Sequence, residues 1–189
     1  MGIDFPKDLF KDRIFSFTRR MEGGYVNDPV DRGGPTHSGI TQQAWNGYCI
    51  QTGRRLSGVR GLTEEDVRGF YDWWWGLRHI GMVHLPDPGL QLMVYDMSFL
   101  FWEDQNRWLQ EGLVNQGIVV VVDGVIGPRT GLGCLRCDRV KLMEYLYDRC
   151  KDRHFRVTGS RRKFLRGWLR RNDLRVDEAL QLSMEWRDM

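Results

Sequence analysis

The sequence has no apolar run of the roughly 20 residues that a membrane-spanning helix requires. Its first stretch, MGIDFPKDLFKDRIF, lacks the apolar core of a secretory signal. The expectation is a chain made in the cytoplasm without a signal peptide and without stable membrane insertion. Cysteine is scarce, at four residues: Cys49, Cys134, Cys137 and Cys150. A structural disulfide is not expected in a chain with no signal. The last three cysteines and His154 read C-x2-C-x12-C-x3-H, a spacing that superficially suggests zinc. They fall, however, in segments with helical patterning and lack the turns that present zinc ligands, so they read as buried thiols. No metal and no cofactor are expected. Repeats, low-complexity tracts and a clear linker are also lacking, and 189 residues fit one compact domain or one domain with a small lobe.

What is present is aromatic and unevenly charged. Eight Trp and nine Phe suit a core or a sugar-binding cleft, and the sequence does not divide them between the two. Residues 1–135 carry 13 Lys+Arg and 16 Asp+Glu, a balance of −3, whereas residues 136–189 carry 15 and 9, a balance of +6. A basic C-terminal third suits an anionic partner such as a cell wall, a membrane surface or nucleic acid, and equally a solvated helix face.

Hydrophobic periodicity gives the organisation. Phe10, Ile14, Phe17 and Met21 form one stripe of a helix from about Asp8 to Glu22, stopped by Gly23-Gly24. The stretch Asn27–Thr41 reads as turns with room for a short hairpin. Thr63 and Asp66 form a capping arrangement ahead of a helix with Val67, Phe70, Tyr71 and Trp74 on one face. Further helices are predicted over about Leu90–Phe101 and Asp104–Asn115, and one begins at Pro128. Ile118–Val122 is a β-branched run that predicts a brief strand. Helical patterns then run to the C-terminus. The fold class is mainly α, with a small β or loop element near the N-terminus.

The chemistry concentrates between Glu22 and Thr41. Glu22 sits at the end of an amphipathic helix, beside Met21 of the buried stripe. Partial desolvation and the negative end of the helix dipole both raise a carboxyl pKa, which a general acid for glycosidic cleavage needs. Asp31 lies nine residues on, in a polar glycine-rich turn where it should stay ionised. Two carboxyl groups in contrasting settings are what glycoside hydrolysis commonly uses. Thr36 and Thr41 are placed to hold a water, and the glycines leave room beside a sugar. Of Trp73-Trp74-Trp75, at least one ring should be exposed or line a groove.

The run EGGYVNDPVDRGG-x-T-x-x-GIT, headed by Glu22, resembles the signature of glycoside hydrolase family 108, a lysozyme-like family of phage endolysins and of bacterial muramidases that assist secretion. Trp108-Leu-Gln110 followed by Val122-Asp-Gly-Val-Ile-Gly-Pro-Arg-Thr130 resembles the family's C-terminal peptidoglycan-binding region, and Arg166-Gly-Trp168-Leu-x-Arg171 its closing motif. The resemblance implies a lysozyme-like fold. It implies a catalytic region over 1–100 and a helical peptidoglycan-binding region over 101–189, packed into one fold. It further implies a monomer acting on bacterial peptidoglycan, not nucleic acid, after release by a holin or another export route. Glu22 maps to the catalytic acid and Asp31 to the motif's Asp, with Thr36 as an aid to catalysis. Tyr25, His37, Thr41 and Trp74 are the expected substrate contacts. A lytic transglycosylase on the same bond and a non-catalytic wall-binding module are the alternatives. The sequence departs from the family at Tyr95–Trp102, which has no Gly where a turn is usual, and at His37-Ser38, where Asn and an aromatic are common.

Overall fold

The computed structural model describes residues 9–27, 34–77, 81–101 and 104–189. Among them are eight helices and one small sheet. In chain order these are α1 (Lys11–Glu22), β1 (Tyr25–Val26), β2 (Thr36–His37), β3 (Ile40–Thr41), α2 (Gln42–Thr52), α3 (Glu64–Gly76), α4 (Pro88–Phe101), α5 (Asp104–Asn115), α6 (Pro128–Arg136), α7 (Arg139–Phe155) and α8 (Leu165–Arg187). The sheet is antiparallel in the order β1-β2-β3. This is the expected mainly helical fold with a small β element near the N-terminus. No helix among the described residues is long and apolar enough to cross a membrane. The contacts divide the chain into two compact units: Phe15–Trp75, and Gly76–Met189 together with the first turn of α1.

The smaller unit has an aromatic core. The predicted face of α3 buries Val67, Phe70, Tyr71 and Trp74, and Trp75 joins them. Phe15 of α1 meets Tyr71 and Trp75 edge-on, with both ring centroids 5.7 Å away. The start of α3 is a reciprocal cap. Asp66 N–H donates to Thr63 Oγ at 3.2 Å, and Thr63 N–H donates to the Asp66 carboxylate at 3.0 Å. Losing such a cap typically costs about 1 kcal/mol.

In the larger unit α8 packs chiefly on α4 and α7. Its buried stripe carries Arg171, Asn172 and Arg175 before turning apolar at Ala179 and Leu182. Asp96 of α4 meets these guanidinium groups with no exposure. It accepts from Arg171 Nε at 3.0 Å and Nη2 at 2.8 Å, and from Arg175 Nε at 2.6 Å. Burial alone would raise the Asp96 pKa, but the two cations hold it far below the ordinary carboxylate range. The glycine-free stretch Tyr95–Phe101 is therefore helix, fixed from within by Asp96. Arg175 also donates to Asn172 Oδ1 at 3.0 Å and approaches Cys150 Sγ at 3.5 Å, while His154 Nε2 lies 3.4 Å from that sulfur. A second buried acid, Asp87, precedes α4 and accepts from Leu90 N–H at 3.0 Å, Ser183 Oγ at 2.5 Å and Arg139 Nη1 at 3.0 Å.

Residues 118–122 form no strand, contrary to the β-branched pattern. Val119 is 98% exposed, and no described strand lies alongside to pair with the segment. The following turn is tied to α5 by side chains instead. Gln110 Nε2 donates to Asp123 Oδ1 at 2.9 Å and to Val125 O at 3.0 Å, and its Oε1 accepts from Gly124 N–H at 2.8 Å. Arg107 donates to Val122 O at 3.1 Å and Asn106 to Gly124 O at 3.0 Å. Asp123 to Thr130 is thus a built turn, as its Asp and Gly residues suggest.

Candidate active site

Glu22 is the last residue of α1. Gly23, at φ +67°, takes the left-handed conformation that commonly closes a helix. Arg19 secures this end by donating to Gly23 O at 2.9 Å and pairing with Glu64 of α3 at 2.7 Å. The chain then enters β1.

Strands β2 and β3 are joined by two residues, Ser38 and Gly39, with φ of +53° and +75°. Positive φ at both centres is the type I′ turn that suits the twist of a hairpin. Ser38 is not glycine, so its conformation needs support, and Tyr71 Oη donates to Ser38 O at 3.0 Å from the core. The Glu22 side chain lies against this turn. A Cβ added to Gly39 would stand 2.6 Å from Glu22 Cδ and 2.8 Å from Oε2. Glycine is therefore demanded twice at position 39, by its φ and by the carboxyl seated on it. Glu22 Oε1 is shielded from solvent, although the residue as a whole is only half-buried.

The register sorts the other expected residues. Tyr25 pairs with His37, and His37 with Ile40; Val26 pairs with Thr36, and Thr36 with Thr41. Paired residues share a face of a sheet, so Tyr25 and His37 lie on one face and Thr36 and Thr41 on the other. Tyr25 is 38% exposed, with the Arg60 guanidinium 5.7 Å above its ring. His37 Nδ1 sits 2.8 Å from Val59 O; a carbonyl only accepts, so Nδ1 is the donor of this bond. Thr36 Oγ donates to Gly34 O at 3.2 Å. Thr41 Oγ caps α2 by accepting from Ala44 N–H at 3.2 Å. Trp74, the remaining expected substrate contact, lies in the aromatic core. It is 4% exposed and stacked on Phe70 at 5.6 Å, because its helical spacing from Val67 and Phe70 places it on the inner face. Of the Trp triplet, Trp73 is the half-buried ring. Asp31 lies outside the described residues.

Gly39, Tyr71 and the Arg19–Glu64 pair complete the surroundings of Glu22, and none of them is expected at the site from the sequence, where Tyr71 reads only as part of a core face. A Ser-Gly pair between Thr36-His37 and Ile40-Thr41 was the available signal for the turn. The thiols do not assemble with His154 into a ligand set: among the described residues no group of three His, Cys, Asp or Glu could hold a metal ion, and all four cysteines are free.

The family model for glycosyl hydrolase 108 matches residues 15–101, which hold Glu22, the sheet and Gly39. Over these residues the chain is similar to glycosyl hydrolase family 108. A second model, described as a predicted peptidoglycan domain, matches residues 105–173. The chain is similar over 94% of its length to the structure of Brucella abortus SagA, covering 95% of that chain with 26% identity and a TM-score of 0.70. No curated protein matches by sequence. The protein is a glycoside hydrolase acting on peptidoglycan.

Proposed function

We propose that the protein is an N-acetylmuramidase. It cleaves the β-1,4 bond between N-acetylmuramic acid and N-acetylglucosamine, with Glu22 as general acid. The observation that carries this reading is the seat of Glu22: a helix-end carboxyl on the glycine of a hairpin turn, one oxygen shielded and the residue still half-exposed. Shielding from water disfavours the charged form of a carboxyl, and partial exposure leaves it able to reach a ligand. Glu22 protonates the leaving oxygen as the sugar gains oxocarbenium character. Asp31, with Thr36 beside it in the motif, stabilises that charge or orients the incoming water. The protein acts as a monomer and reaches the wall through a holin or another export route.

The test is product analysis after digestion of purified peptidoglycan, with Glu22→Gln as control. The expected products are reducing muropeptides, with activity of the folded variant lowered at least ~100-fold, the lower end of what acid catalysis contributes. Near-normal lysis by folded Glu22→Gln would remove the assignment. Products one water lighter would identify a transglycosylase instead.

A further inference from the structure

The peptidoglycan domain carries a groove that the glycosidase chemistry leaves unused. One wall is the segment Gly117–Val119; the other is a single stripe of α6, formed by Arg129, Leu132, Gly133 and Arg136 at spacings of three, four and seven. The cavity is about 390 Å³, and no acidic residue lines it. Arg129 and Arg136 make no ion pair among the described residues, and both are exposed. Between them Leu132 is 52% exposed, and across the groove Val119 is 98% exposed. The floor is Gly133, which is buried. A Cβ there would come within 3.2 Å of Ile118 Cγ2 and Leu113 Cδ1, so the absence of a side chain keeps the groove open above a packed base.

The segment that carries Val119 is tethered on both sides of it. Gln110, Arg107 and Asn106 fix the backbone from Val122 to Val125, and Ile118 N–H donates to Leu113 O at 3.1 Å. Exposed apolar side chains on a tethered loop, beside two free cations, mark an interaction surface. The pattern selects a ligand. Seven helical residues separate the guanidinium-bearing positions by about 10 Å along the axis. An extended peptide covers that span in about three residues. The ligand is then a short extended peptide with carboxylates about three residues apart and small apolar side chains beside them. In peptidoglycan that description fits the stem peptide, with its free carboxylates and alanine methyls, and does not fit the glycan strand.

We propose that the groove between Gly117–Val119 and α6 binds the stem peptide of peptidoglycan, with Arg129 and Arg136 on its carboxylates and Leu132 and Val119 on its methyl groups. This rests on the assignment of the protein to peptidoglycan but not on the bond it cleaves.

The test uses the full chain and a synthetic stem tetrapeptide with free carboxylates, followed by calorimetry. The parent binds it. The double variant Arg129→Gln/Arg136→Gln binds at least about tenfold more weakly, the scale of one lost charge-assisted hydrogen bond. Leu132→Asp, at an exposed position, abolishes binding. The methyl-esterified peptide fails to bind the parent, an outcome independent of how any variant folds. Equal binding of free and esterified peptide, undiminished binding by the folded double variant, or binding of stem-free glycan alone at this groove overturns the proposal. So does displacement of the peptide by inorganic phosphate at equal concentration, which would mark a general anion site. Loss of wall cleavage with peptide binding intact would count against the muramidase reading and leave this one standing.

Discussion

Glu22 and Asp96 are both carboxyl groups with oxygen drawn out of water, and their surroundings differ in kind. Asp96 is wholly buried in the larger unit, and each of its oxygens accepts from a guanidinium. Glu22 in the smaller unit stays half-exposed and rests on the backbone of a hairpin turn. The first arrangement saturates the charge and fixes a helix pair, so that proton can play no part in chemistry. The second leaves a carboxyl that can meet a ligand. Burial alone therefore does not mark a catalytic acid; what the acid is buried against decides its use.

The largest effect should come from removing the charge of Asp96. Asp96→Asn strands two buried guanidinium groups and is expected to cost about 3–5 kcal/mol. Thermal unfolding should register a drop on the order of 10 °C for a chain of this size. Glu22→Gln should leave the melting temperature nearly unchanged while abolishing lysis. If both variants melt like the parent, the contrast between the two acids is wrong.

His154 probes the same polar core by pH. Burial, with help from Arg175 and Arg171, lowers its pKa to about 4 from 6.5. The folded state thus takes up the proton later than the unfolded chain does. Stability is full above about pH 6.5 and falls as the pH drops from there towards 4, by about 2 kcal/mol at pH 5. Asp96, whose folded pKa is depressed, contributes stability above its unfolded value and loses it only below about pH 4. His154→Phe keeps the stacking on Trp168, which His154 makes at 5.3 Å, and removes the proton. Its melting temperature should vary less between pH 7 and pH 5 than the parent's. An unchanged slope would show that His154 does not control this window.

Gly39→Ala sharpens the other side of the comparison. The left-handed backbone alone costs about 1–2 kcal/mol. The added methyl also displaces the Glu22 carboxyl, so wall lysis should fall about tenfold or more in protein that remains folded. Lysis at the parent's rate would mean that the turn does not position Glu22.

The smallest effect belongs to the exposed basic segment Gly159–Phe164. Replacing Arg161, Arg162 and Lys163 with Gln should weaken sedimentation with walls at low salt and converge with the parent at 1 M, where the Debye length shrinks to about 3 Å. Turnover of short oligosaccharides should hold. Equal sedimentation at low salt would assign the segment to a solvated face.

Much of this was legible locally. The Thr63–Asp66 cap, the inner face of α3, the α5 boundaries and the Pro128 start all depend on neighbours within a turn or two, and each stands where the pattern put it. The Glu22 motif was legible through its resemblance to a family. What escaped depends on partners far along the chain. Nothing near Asp96 announces Arg171 and Arg175, 75 and 79 residues away. The β-branched run at 118–122 met no partner strand, and propensity without a partner does not make a sheet. The sequence offers both a core and a cleft place for Trp74, and its burial follows from packing that no local pattern displays.

All four thiols are free, and their settings make them unreactive. Burial pushes up the pKa of Cys49, Cys134 and Cys150, and that of Cys137 to about 11. The thiolate, which oxidants attack, is therefore scarce at neutral pH. With no covalent staple to form or break, the fold should stay the same across a change in redox potential. One conformation should then persist under reducing and oxidising conditions alike, and a melting curve recorded with and without dithiothreitol should superimpose.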